Sequence, residues 1–229
     1  MKLNFFIGYD SKEDIAYRVC KYSLLKRTNA DVNVMSLKLD ELVAKNLYTR
    51  SIDPLASTQF TYSRFLVPKL TNYEGWAVFC DCDFIFLADI SNLFKNLDEN
   101  KAVYCVKHDY TPKEKHKMDG QKQTIYPRKN WSSVVLWNCG HPSNEKITVD
   151  LVNNPNYDGK YFHRFSWLQD EEIGKLSHEW NWLVGWYKAP EDGEPKALHY
   201  TEGGPWFKNY RHCEYGDVWK NYLSEMMKK

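Results

Sequence analysis

The 229-residue chain has no run of about twenty apolar residues, the length a helix needs to cross a bilayer, so no membrane-spanning helix is expected. No secretory leader is expected either. The N-terminal apolar run Leu3-Asn-Phe-Phe-Ile7 is too short for one and meets Gly8-Tyr9-Asp10 at once, which predicts a first strand and a cytoplasmic location. The sequon Asn130-Trp-Ser132 is then a coincidence. An excess of one charge is missing too: net charge is +1 with acids and bases interspersed, so there is neither a nucleic-acid footprint nor a polybasic membrane arm. The expected partners are small molecules or glycans. The six cysteines, Cys20, Cys80, Cys82, Cys105, Cys139 and Cys213, are scattered through apolar segments in the manner of core residues. Cys80-x-Cys82 has no second pair to complete a zinc site, and a chain of this size needs no disulfide framework. Internal repeats and low-complexity tracts are absent as well.

What is present suits one α/β domain, since 43% of the residues are hydrophobic, enough for a sizeable core. A strand at 3–7 and a tight turn lead into a helix over 11–27, where Ile15, Val19, Tyr22 and Leu25 keep helical spacing, with Ser11 as N-cap and Asp14 in the first turn. A strand at 32–37 and a short helix at 40–46 follow. The spacing then predicts a helix over 60–70 that carries Arg64 and has Pro68 late in it, a strand at 76–80, a short helix at 90–97, strands at 102–106 and 132–137, and a closing helix at 215–228. This alternation argues for helices packed on a mainly parallel sheet. The polar, lysine-rich connection 107–130 is long enough to be a functional lid or a mobile insert. In the second half Trp131, Trp137, Trp167, Trp180, Trp182, Trp186 and Trp206 crowd an irregular region; they either line a sugar-binding cleft or fill a core short of regular helices.

The chemistry is concentrated at Asp81-Cys82-Asp83, between the apolar runs 76–80 and 84–87. In an extended segment residues i and i+2 face the same side, so both carboxylates can meet one divalent cation through hard oxygen ligands. The alternative is a turn in which the aspartates cap backbone N–H groups. Tyr9 and Asp10, at the end of the first strand, either meet a base and ribose or form an ordinary turn with Asp10 as a cap. Arg64 is either a cation near a donor or a salt-bridged helix residue.

Taken in order, these segments resemble the GT-A glycosyltransferases, most closely the family-8 type. The matching elements are Phe6-Ile7-Gly8-Tyr9-Asp10, Thr61-Tyr-Ser-Arg64-Phe65, Asp81-Cys82-Asp83, the strand Ser132-Ser133-Val-Val-Leu-Trp-Asn138, and His199-Tyr-Thr-Glu-Gly203-Gly204-Pro205-Trp206. The resemblance spans residues 3–207. It implies a single GT-A domain with a mixed, mainly parallel sheet, its nucleotide-binding region near 1–106 and its sugar and acceptor region near 107–229. It further implies Mn2+ or Mg2+ held by Asp81, Asp83 and His199, and a nucleotide-sugar donor, a UDP-hexose carrying glucose or galactose. The donor contacts implied are Phe6, Ile7, Gly8, Tyr9, Asp10, Arg64, Asp81, Cys82, Asp83, Ser133, Asn138, Gly203, Gly204 and Trp206. The acceptor implied is a glycan or other hydroxyl compound; the resemblance implies transfer with retention, while the residues leave open inversion with a carboxylate as general base.

The chain departs from the family pattern in two places. The lysine expected before Pro205 is missing, which leaves Lys208 as the substitute for a diphosphate contact, and an Asp-Gln pair appears inverted as Gln169-Asp170. The resemblance puts Gln169 and Asp170 near the sugar in a catalytic role, while an acidic first helical turn explains the same residues without chemistry. Glu179-Trp180-Asn181 resembles a cleft-lining segment and equally suits packing. Two carboxylates and an imidazole tilt the metal toward Mn2+ over Ca2+. The rival readings are a non-catalytic sugar-nucleotide or glycan binder, and a phosphotransfer enzyme of the haloacid dehalogenase type. In the latter the aspartates would follow the first strand, whereas here they begin at residue 81.

Overall fold

The computed structural model describes residues 2–51, 53, 56–109 and 128–229. The expected lid at 107–130 falls for the most part, over 110–127, outside the described residues. The first strand, β1 (Leu3–Gly8), is buried along its length except at the half-buried Asn4, as the apolar residues Leu3, Phe5, Phe6 and Ile7 on alternate and adjacent positions require of a strand covered on both faces. It ends where a Cβ on Gly8 would lie 2.5 Å from the Phe60 ring. Helix α1 (Asp14–Arg27) buries Ala16, Val19, Cys20, Ser23 and Leu24, and Lys26 and Arg27 complement its C-terminal dipole. Its entry differs from expectation: Asp10, not Ser11, is the cap, accepting from the Lys12 N–H at the start of a 3-10 turn, Ser11–Glu13.

Strand β2 (Val32–Leu37), helix α2 (Leu39–Ala44), helix α3 (Val67–Leu70) and strand β3 (Trp76–Cys80) follow. The predicted helix over 60–70 is realised as turns, a 3-10 segment Ser63–Leu66 and the single turn of α3, with Pro68 in that first turn where its missing N–H costs least. Next come β4 (Phe84–Phe86), β5 (Val103–Cys105), β6 (Val134–Asn138), α4 (Val149–Asn153), α5 (Gly159–His163), β7 (Ile173–Lys175), β8 (Trp182–Leu183), β9 (Ala197–His199) and α6 (Gly216–Met227). The short helix expected at 90–97 is a 3-10 segment, Ile90–Phe94.

The main sheet has the order β2-β1-β3-β6-β5-β7, with β6 antiparallel to both its neighbours and the other pairs parallel. Among the described residues this is a single α/β domain built on a mixed, mostly parallel sheet. A second sheet, β4-β9-β8, lies alongside. The chain crosses from one sheet to the other at Asp81-Cys82-Asp83: β3 ends at Cys80 and β4 begins at Phe84. Helix α1 packs on β4 and α6 on α1, with Ser23 Oγ accepting the Phe86 N–H and Arg27 Nε donating to Tyr222 Oη at 2.6 Å.

Trp137, Trp167, Trp180, Trp182 and Trp219 are core, while Trp131, Trp186 and Trp206 are half-buried. Trp137 and Trp167 stack at 6.2 Å with Phe65 and Phe165 edge-on to them, and Trp182 and Trp219 join Val19, Ile85, Leu198 and Tyr200 in a second cluster under α6. All six cysteines are free thiols, five of them buried, as core usage predicts. No helix among the described residues is long and apolar enough to cross a membrane.

Candidate active site

The register of the two sheets assembles the site. Cys80 pairs with Val134, so Asp81 at the end of β3 meets the residues leading into β6, and its N–H donates to Ser133 O at 2.9 Å. Phe84 pairs with His199 across the second sheet, and the Tyr200 N–H donates to Asp83 O at 3.0 Å, which sets His199 beside Asp83. One ligand atom from each of Asp81, Asp83 and His199 lies within 4.8 Å of the others. The aspartates converge because the triplet is a turn between sheets, not because it is extended. The three line a cavity of about 150 Å3 with Asp10, Lys12, Glu13, Thr58, Arg64, Ser133, His163 and Thr201.

Arg64 is buried and spends its guanidinium on protein. Nη1 sits 2.6 Å from Asp81 Oδ1 and 3.0 Å from Ser132 O, while Nε reaches Phe60 O at 3.4 Å. It holds Oδ1 of Asp81 in place at the cavity wall. His199 is 2% exposed, stacked on Phe84 at 4.4 Å, with Nδ1 2.8 Å from Asn181 Oδ1 and Nε2 3.4 Å from Asp83 Oδ2. Asp10 accepts from the Lys12 and Gln59 N–H groups at 2.9 and 3.0 Å, which fastens the end of β1 to the turn before Arg64.

Glu13 completes the acidic wall. Burial, then the neighbouring Asp83 and Asp10, push its carboxyl up to about 8, against a weaker opposing pull from the Trp206 Nε1–H, which donates to Oε2 at 3.1 Å. Behind the site, burial first and then the nearby His199 and His178 push His108 down to about 3, so its ring is neutral; Nδ1 lies 2.8 Å from Tyr187 Oη.

No family model matches the chain. Protein CDI of Arabidopsis thaliana is 49% identical over 227 residues, covering 98% of this chain and 87% of that protein. The chain belongs to the family of protein CDI. Among solved structures, the glycosyltransferase GlyE of Streptococcus pneumoniae TIGR4 is similar with a TM-score of 0.65 at 16% identity, over 100% of this chain and 62% of GlyE. The bifunctional glycosyltransferase WbbM superposes with a TM-score of 0.65 at 16% identity, over 99% of this chain and 51% of WbbM. The galactosyltransferase LgtC, solved with donor and acceptor sugar analogues, gives 0.52 at 10% identity, over 97% of this chain and 96% of LgtC. At these identities the likeness shows a fold, that of the GT-A glycosyltransferases.

Of the residues singled out in the sequence of this CDI-family chain, Asp10, Arg64, Asp81, Asp83, Ser133 and His199 line that cavity together. Phe6, Ile7, Gly8 and Cys82 are buried beneath it. Tyr9 is turned away, its hydroxyl on Asp14 and its ring edge-on to Tyr17. Asn138 pairs with Trp76 at the opposite end of β3 and donates to Glu99 O, a strand's length from the aspartates. A Cβ on Gly204 would lie 1.8 Å from the Trp206 ring, which folds back over it, and Gly203 has a φ of 137°. Trp206 in turn packs on Tyr200 and Trp219, outside the cavity lining, and Lys208 is exposed and also outside it.

Gln169 and Asp170 form the acidic first turn of a 3-10 segment, Asp170–Glu172, with a capping box to Glu172. Asp170 is ion-paired with Arg128, and neither residue is in the cavity lining. The structural reading accounts for both. Glu13 and His163 were missed. Asp10-x-x-Glu13 has the spacing of a helix capping box, which disguises Glu13 as a cap, and nothing local marks His163, whose Nδ1 lies 2.7 Å from Ser132 Oγ.

Proposed function

We propose that the chain is a metal-dependent glycosyltransferase that moves a hexose from a nucleotide diphosphate sugar, a UDP-hexose, to a hydroxyl acceptor such as a glycan. The observation that carries this reading is the convergence of Asp81, Asp83 and His199 on one cavity at the junction of the two sheets of a GT-A fold. The donor set fits Mn2+ or Mg2+: two carboxylates and an imidazole, their ligand atoms close enough for small rotations to bring them onto a common cation. The acidic wall fits as well, because carboxylates crowded enough to raise Glu13 are relieved by positive charge. When bound, such a cation supplies Lewis-acid stabilisation of the diphosphate leaving group.

The chain's own residues do the rest. Arg64 pairs with Asp81 and orients it, Lys12 offers a cation, and Thr58 and Thr201 bring hydroxyls to the cavity. A second cavity of about 240 Å3 shares Asp10, Lys12, Thr58 and Thr61 with the first and adds Leu39, Tyr48 and Tyr62, apolar and aromatic walls that suit a nucleobase. The donor thus belongs chiefly to residues 1–106, and the acceptor to the face made by 128–207. Retention is favoured because inversion needs a free carboxylate beside the acceptor. Among the described lining residues Asp10 is tied to two N–H groups, Glu13 accepts from the Trp206 Nε1–H, and on this reading Asp81 and Asp83 are taken up by the metal.

Incubation with UDP-glucose and UDP-galactose tests the reading. Release of UDP that needs Mn2+ and is lost with chelator is expected. Cation-dependent donor binding without release or transfer for any donor and acceptor would make the chain a binder instead of an enzyme.

A further inference from the structure

We infer that Asn181 is a positioning residue that fixes His199 with its proton on Nδ1 and its Nε2 lone pair directed at Asp83. The proton count around the Asn181 amide decides its orientation. Asn181 Nδ2 lies 2.9 Å from Ser133 Oγ and 3.3 Å from Asn130 O. The Ser133 hydroxyl has already given its single proton to Asn130 O at 2.7 Å, so it can only accept, and a carbonyl oxygen can do nothing else. The end of the amide facing both must be the NH2. A flipped amide would set lone pair against lone pair in a site where Asn181 is wholly buried and Ser133 nearly so.

The other end, Oδ1, therefore faces His199 Nδ1 at 2.8 Å and can be met only by an N–H. A neutral imidazole has one proton, and with it on Nδ1 the opposite nitrogen, 3.4 Å from Asp83 Oδ2, is bare. The backbone holds this in place. Asn181 ends a 3-10 turn, His178–Asn181, capped by Ser177, and the chain then enters β8, whose Leu183 pairs with His199 in β9. Stacking on Phe84 keeps the ring from turning. On the proposed metal reading, this makes Asn181 the outer partner that presents Nε2 as a ligand, in the way such partners orient metal-bound histidines generally.

Two measurements test it. The first is 15N NMR of the metal-free wild-type protein at a pH where the imidazole is neutral, the His199 ring being identified by its loss in His199→Gln. The Nδ1–H tautomer is expected, and the Nε2–H tautomer overturns the inference. The second is Mn2+ titration followed by EPR of the free ion in wild type and Asn181→Leu, with about 10–100-fold weaker binding expected in the variant. Equal Mn2+ affinity in the two proteins overturns the positioning role. If the wild type binds no Mn2+ yet shows the Nδ1–H tautomer, the metal reading falls and the assignment of Asn181 to His199 stands. If Asn181→Leu does not fold, the wild-type spectrum still decides.

Discussion

Arg64 shows what burial does to a residue whose role looked open in the sequence. A cation free for a donor would be exposed, but Arg64 and Asp81 are 7% and 16% exposed in their side chains and 2.6 Å apart. Removing one partner leaves a buried carboxylate uncompensated, which costs about 3–5 kcal/mol. Arg64→Ala is therefore expected to lower stability by that order in urea unfolding, with some of the loss recovered on adding Mn2+. An unchanged midpoint would return Arg64 to a role in donor binding alone. Glu13 gives the pH dependence. Its folded value of about 8 lies above the ordinary 4.5, so between these values the folded chain holds a proton that the unfolded chain has released. Stability contributed by that proton is full below pH 4.5 and is lost as pH rises toward 8. Urea unfolding at pH 5 and pH 8 should show a smaller difference in Glu13→Gln than in the wild type, since a glutamine still accepts from Trp206 without titrating. Equal differences would place the pH dependence elsewhere.

Among the elements, β1, α1, β2, β3 and α6 were legible because periodicity and unbroken apolar runs are local signals. The 60–70 segment was not, since its turns owe their shape to the pin between Asp10 and the Gln59 N–H, 49 residues apart, and to Phe60 seated against Gly8. The second sheet was hidden for a similar reason: β8 and β9 have two and three residues, too few to carry an alternation. The apolar run after the aspartates announced β4 but not that it leaves the main sheet. Asp10 is where this element-level account can be tested. Asp10→Ala strands two N–H donors and uncaps the turn before α1, with an expected loss of about 2 kcal/mol or more by urea unfolding. A loss under about 0.5 kcal/mol, the range of an ordinary surface change, would deny it the pinning role.

Over the whole molecule, the site draws on residues from 10 to 207, and the fold is what brings them together. Asp81, Asp83 and His199, named from family order, lie together on one cavity, at the end of β3, the start of β4 and the end of β9. Asn138, Trp206 and the Gln169-Asp170 pair lie outside that cavity's lining, held by contacts to Glu99, Trp219 and Arg128. The acidic wall from Glu13 came only from the three-dimensional arrangement, and Asn181, in a segment that resembled a cleft-lining one in sequence, shows its contact with His199 only there. The central claim, that the two aspartates and His199 hold a cation through which a nucleoside diphosphate binds, is tested most directly by calorimetric titration of UDP into wild type and Asp83→Asn, each with Mn2+ and with chelator. The account predicts binding to the wild type with Mn2+ only. UDP binding that survives chelation, or cation-dependent binding that persists in Asp83→Asn, would contradict it.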